Sequence, residues 1–141
     1  MTQPRRKLPI GIQTFSEIIN EGHYYVDKTN YAHRLIDNGK YYFFSRPRRF
    51  GKSLFLDTLK ELFEGNEPLF KGLYIHDKWD WNRCHPVVRI SFSDGVLKSR
   101  EELDKRIRYL LRRNCEALGV DCRPDLDIAG EFSELIRLAN Q

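Results

Sequence analysis

The sequence predicts an α/β fold, a parallel sheet with flanking helices built around a phosphate-binding loop, and three observations lead there. An aromatic run, Tyr41-Tyr42-Phe43-Phe44-Ser45, has strand propensity and no polar alternation, as a strand covered on both faces does. Directly after it comes Arg46-Pro47-Arg48-Arg49-Phe50-Gly51-Lys52-Ser53, a basic loop closing in Gly-Lys-Ser. Residues 52–64 then set Phe55, Leu59, Leu62 and Phe63 at helical spacing, with Gly65 as the stop.

The elements run in order from a helical lead-in over residues 1–40. Thr14-Phe15-Ser16-Glu17 has the spacing of a capping box and starts a short helix that reaches Asn20 and stops at Gly22. Tyr24-Tyr25-Val26 is a short extended piece, after which Asp27 or Thr29 caps a second helix. Asn38-Gly39 ends that helix where a left-handed C-cap is cheap. Residues 41–141 are expected to form a partial nucleotide-binding domain, one domain overall with the lead-in. Within it, residues 66–86 are a long connection whose Phe70, Tyr74, Trp79 and Trp81 pin it to the body. Val87-Val88-Arg89-Ile90-Ser91-Phe92 reads as a second strand. Ser99-Arg100-Glu101-Glu102 is another capping box, and Leu103, Ile107, Leu110, Leu111 and Leu118 carry the helical period to Gly119. A last helix from about Leu126 buries Phe132, Leu135, Ile136 and Leu138.

A chain of 141 residues, 40% hydrophobic and 31% charged, suits one globular domain and excludes wholesale disorder or a fibrous repeat. No apolar run suits a signal peptide or a membrane span, so a cytoplasmic location is expected, with no membrane partner. The three cysteines Cys84, Cys115 and Cys122 lack CxxC pairing, and free thiols are expected. Cys84-His85 and His76 match no zinc-ligand spacing. The net charge of +4 gathers in the loop and in Lys105, Arg106, Arg108, Arg112 and Arg113, which read as a solvated helix face.

The loop carries the chemistry. Between a strand and a helix, the amides of Arg48, Arg49, Phe50, Gly51, Lys52, Ser53 and Leu54 can wrap phosphate oxygens at a positive helix terminus. Lys52 is placed for the β- and γ-phosphates and the Ser53 hydroxyl for Mg²⁺, while Gly51 lets the backbone approach the anion. Arg48 and Arg49 are further candidates for phosphate or for an acidic partner. The loop departs from the usual glycine-led pattern in having Arg46 at its first position and Pro47, which has no amide, at its second.

The stretch from Leu8-Pro9-Ile10-Gly11 through Val26-Asp27-Lys28-Thr29 to Arg46-Pro47-Arg48-Arg49-Phe50-Gly51-Lys52-Ser53, with Phe63, Leu69-Phe70 and Gly72 beyond, resembles the AAA-ATPase-like family of prokaryotic proteins. VDKT and RPRRFGKS are that family's signature segments. The resemblance implies a P-loop NTPase-like module that binds ATP with Mg²⁺, followed in longer members by a nuclease-like domain. It also implies an acidic Walker B strand after a helix like residues 126–138. The sequence ends before such a strand, so the fold is expected to be truncated there, and neither hydrolysis nor catalytic residues are assigned. Asp94, after the second strand, precedes the Walker B position in family order.

Asp27, Lys28 and Thr29 have two readings, approach to the nucleotide or simple helix capping. An open edge on the strand at residues 41–45 predicts self-association or pairing with a missing C-terminal segment. The alternative functions are a nucleic-acid-binding module using the loop and residues 105–113, which no feature specifies, and a partner-docking module whose anion loop is idle.

Overall fold

The computed structural model describes residues 5–93 and 95–141, and the chain divides into two compact units between His85 and Pro86. The first unit holds α1 (Phe15–Asn20), α2 (Thr29–Asn38), α3 (Lys52–Phe63) and a 3-10 turn, Glu67–Phe70. Its core is Phe15, Ala32, Leu62, Phe70 and Ile75, with Tyr25, Ile36, Leu54, Phe55, Trp79 and Trp81 packed around it. The lead-in helices and the helix after the basic loop therefore share one core.

The connection after α3 is held as its aromatics predict. Phe70 stacks between Phe15 (ring centroids 4.9 Å) and Trp81 (5.2 Å), and Trp79 meets Phe63 edge-on at 5.5 Å. The Trp81 Nε1–H donates to the His76 carbonyl at 2.8 Å, so the half-buried indole has its partner.

Two helix ends differ from the expected caps. Thr14 makes no side-chain cap; the Phe15 amide donates instead to Asp57 Oδ2 at 2.8 Å, from a residue 42 positions away in α3. Gly39 is extended rather than left-handed. Near this end Asn38 Nδ2 donates to the Arg34 carbonyl (2.7 Å) and the Tyr42 hydroxyl to the Leu35 carbonyl (2.5 Å), the second serving one of the four carbonyls left free at the helix end.

The parallel sheet is not there. Among the described residues no strand forms, and the expected α/β fold is corrected to a helical architecture. Residues 41–45 and 87–92 lack the ladder that makes an extended segment a strand, and strand propensity alone does not supply a partner. Tyr41 and Phe43, expected to be covered on both faces, are each 94% exposed. At Arg89 a side chain does what a neighbouring strand would do. Asn114 Oδ1 accepts from the Arg89 amide and Asn114 Nδ2 donates to the Arg89 carbonyl, both at 2.9 Å.

The second unit is a helical pair, α4 (Arg100–Leu118) and α5 (Ile128–Ala139), closed over Leu111, Cys115 and Leu135. The hydroxyl half of the capping box forms at α4, where Ser99 Oγ accepts from the Glu102 amide at 3.2 Å, while the Glu102 carboxylate accepts from the Lys98 amide at 2.8 Å. Gly119 ends α4 in the left-handed conformation, φ 66°. That reversal brings Cys115 and Cys122 to a Cα separation of 6.3 Å, and they are disulfide-bonded. The expectation of three free thiols is corrected: only Cys84 is free, and it is exposed. No helix among the described residues is long and apolar enough to cross a membrane.

Candidate functional site

The basic loop sits at the N-terminus of α3, and its backbone makes the turn in two left-handed steps. Arg49 has φ 64° and Gly51 φ 78°. Glycine takes this conformation freely, whereas at arginine it costs about 1–2 kcal/mol. Gly51 is the N-cap of α3, and its carbonyl accepts the first helical bond from Phe55 at 2.9 Å. No N-cap side chain bonds to the first turn. The amides of Lys52, Ser53 and Leu54 are thus the orphan donors at the positive end of a 12-residue helix.

Lys52 folds back over the loop, its Nζ donating to the Arg46 carbonyl at 2.5 Å. An ammonium held only by a carbonyl in an exposed loop is easily drawn to a stronger acceptor. Arg48, Arg49, Phe50 and Gly51 are exposed, and Lys52, Ser53 and Leu54 are half-buried. Leu54 also packs on the core, which fixes the start of the helix. A Cβ on Gly51 would meet nothing within 4 Å, so the space over the loop is open.

Two clefts meet at Gly51. One, about 570 Å³, is walled by residues 9–13 together with Arg49, Lys52, Ser53 and Leu54. The other, about 510 Å³, lies between α2 and the loop and includes Lys28, Tyr31, Arg34, Arg46 and Phe50. Six of the seven predicted binding residues, all but Arg48, line one or both of them. Among the described residues no carboxylate lines either cleft.

Asp27 and Thr29 work as a clasp inside the first unit. Asp27 Oδ1 accepts from the Thr29 amide (2.9 Å) and hydroxyl (2.7 Å), and its Oδ2 accepts from the Tyr74 amide (2.7 Å). Thr29 Oγ1, fully buried, accepts in turn from Ile75 at 3.2 Å. Neither residue is the N-cap of α2, which is Lys28 without a side-chain cap; Asp27 instead closes a turn onto the Thr29 amide and ties the segment to a chain 47 residues away. Lys28 is different: it faces the 510 Å³ cleft.

The basic helix is not a uniform solvated face. Arg108 donates to the buried Glu131 and, at 3.1 Å, to the Leu126 carbonyl, bridging α4 to α5. Arg106 and Arg113 lie 5.4 and 5.9 Å from the Tyr109 ring centroid. Asp94 lies outside the described residues.

The sequence reading missed the contribution of α2 to the site. Lys28, Tyr31, Arg34 and Asn38 recur at three- and four-residue spacing, the signature of one helix face, and all four line the cleft beside the loop. Their polar and aromatic mixture hides them from a search for apolar periodicity.

An uncapped helix N-terminus under a basic loop presents the kind of free amide donors that suit an anion. The comparisons with known proteins supply the family: the family described as predicted AAA-ATPase matches residues 9–141, and the chain belongs to it. Over 138 residues the chain is 59% identical to a protein of Azotobacter chroococcum mcd 1 described as an uncharacterized protein in the vnfD 5' region. The match covers 96% of this chain and 26% of that protein, so the chain spans about a quarter of its relative's length. No solved structure matches.

Proposed function

We propose that residues 46–53 bind the phosphates of a nucleotide, ATP by family, together with Mg²⁺. The observation that carries the reading is the set of uncapped amides at the start of α3, with Lys52 parked on the Arg46 carbonyl above them. The residues present fit such a ligand. Gly51 leaves room for it, the first-turn amides and Lys52 supply donors and positive charge, and the half-buried Ser53 lines the same cleft.

In this reading Lys52 leaves Arg46 for the terminal phosphates, Ser53 holds Mg²⁺, and Arg49 adds charge at the cleft wall. Bound Mg²⁺ would offset the repulsion between phosphate oxygens. The proposal is binding. Turnover is not assigned, because no carboxylate among the described residues lines the clefts to position an attacking water.

The test is a titration of the chain with Mg²⁺-ATP. Lys52→Ala removes the ammonium held over the loop on the Arg46 carbonyl, and affinity should drop by about 1.5–3 kcal/mol, the range of a charged hydrogen bond. That is roughly 10- to 150-fold. Equal affinity in the two proteins would refute the reading.

A further inference from the structure

We infer that the cleft between α2 and the basic loop receives the heterocyclic base of the nucleotide, stacked on Tyr31 and Phe50. The inference rests on the loop reading above and extends it to the part of the ligand that the loop does not touch. Its volume of about 510 Å³ is within the range of small-molecule sites, and it meets the loop directly through Arg46, Phe50 and Gly51. A ligand anchored on the α3 amides would therefore have its remaining part at the mouth of this cleft.

The side chains select what kind of group can sit there. Lys28, Arg34 and Arg46 line the cleft, none of them is ion-paired among the described residues, and no carboxylate is among the described lining residues. Such a wall favours an anionic ligand. The aromatic residues divide into two sets. Phe44 is already stacked on Phe55 (5.6 Å) with the Arg46 guanidinium 5.6 Å from its centroid, and the Tyr42 hydroxyl is engaged with Leu35.

Tyr31 and Phe50 have no ring partner among the described residues and are 56% and 58% exposed. Two uncommitted rings beside three cations suit a flat π-system carrying negative charge. A nucleotide is such a molecule, whereas an aliphatic acid would leave the rings unused and an uncharged aromatic the cations. Stacking in an open cleft depends on ring area more than on base edges, so purines should bind better than pyrimidines.

The experiment compares Mg²⁺-ATP with inorganic tripolyphosphate by calorimetry, on the wild-type chain and on Tyr31→Ala, Tyr31→Phe and Lys52→Ala. Expected are a roughly 5- to 10-fold loss of ATP affinity in Tyr31→Ala, the low end for a base stacked on one aromatic ring, with unchanged tripolyphosphate binding. Tyr31→Phe keeps the ring and should bind ATP as wild type does, which separates stacking from any loss of fold. Unchanged ATP affinity in Tyr31→Ala, or equal wild-type affinity for ATP and tripolyphosphate, overturns the base cleft and leaves the loop reading standing. Tripolyphosphate binding that is absent, or indifferent to Lys52→Ala, overturns the loop reading and this inference with it. A single-stranded oligothymidylate that outcompetes ATP with the same Tyr31 dependence would assign the cleft to nucleic acid and overturn the nucleotide.

Discussion

Replacing Asp27 by alanine should destabilise the protein while leaving nucleotide affinity intact, and the size of the loss follows from its contacts. The carboxylate accepts three hydrogen bonds, from the amide and hydroxyl of Thr29 and from the amide of Tyr74. Bonds to a charged group contribute about 1.5–3 kcal/mol each in favourable settings. Asp27 itself is exposed, so water replaces part of what is removed. Thr29 is fully buried, however, and its hydroxyl would lose an acceptor that water cannot easily reach. The net loss is about 2–3 kcal/mol, well below the sum of the three contacts because solvent reaches the exposed carboxylate. For a unit of this size each kcal/mol moves the melting midpoint by about 4–8 °C, so Asp27→Ala should melt about 10–20 °C lower. Asp27→Asn keeps one acceptor and should fall between. Circular dichroism melts give the shift, and a Mg²⁺-ATP titration well below the midpoint gives the affinity. A wild-type midpoint combined with lost affinity would refute the clasp and put Asp27 in contact with the nucleotide.

Reduction of the Cys115–Cys122 bond should destabilise the second unit by about 2–3 kcal/mol, the chain-entropy value for so short a loop; melts with and without reductant, and on Cys122→Ser, check it, and identical melts would count against the bond. Glu134 accepts from the side chain and amide of Arg123, and these bonds hold its pKa below the ordinary carboxylate value. Its stabilising contribution is therefore complete above the unfolded carboxylate pKa of about 4.3 and is lost as pH falls through the lower folded value, so Glu134→Gln should flatten that acid limb. An acid limb of unchanged slope in the variant would exclude Glu134 as its source. Residues 41–45, extended and unpaired with Tyr41 and Phe43 in solvent, should make the chain associate at micromolar concentration, and Phe43→Lys should reduce this in sedimentation; a monodisperse wild-type monomer would refute it.

Much of the helical framework was legible because the signals are local. The residues that start and end the five helices, among them Ser99, Gly22, Gly65 and Gly119, are close to where periodicity and capping chemistry place them. The basic loop and its glycine were equally plain, since Gly51-Lys52-Ser53 is contiguous. What failed was pairing. Aromatic runs at residues 41–45 and 87–92 have the intrinsic preference of strands, yet a strand exists only through a partner, and partners are not encoded in the segment itself. The same holds for Asp57, Asn114 and Glu131, whose buried contacts join residues 42, 25 and 23 positions apart. The disulfide was missed because an odd cysteine count spoke against pairing, whereas the decisive fact was the chain reversal at Gly119.

The bond from the Phe15 amide to Asp57 bears on how the loop can respond to a ligand. Asp57 lies one and a half turns into α3, and its carboxylate is buried on the end of α1, so tilting or sliding α3 would strip a charged acceptor from an amide that has no other cap. α3 is in effect an anvil, fixed at its base by a helix from the other end of the unit. Adjustment to a bound anion would then fall to residues 46–51, between an exposed extended segment and Gly51, where the Lys52–Arg46 contact must give way. The division of labour places the stiffness beneath the amides and the compliance above them, so the donors keep their aim while the lid over them is remade.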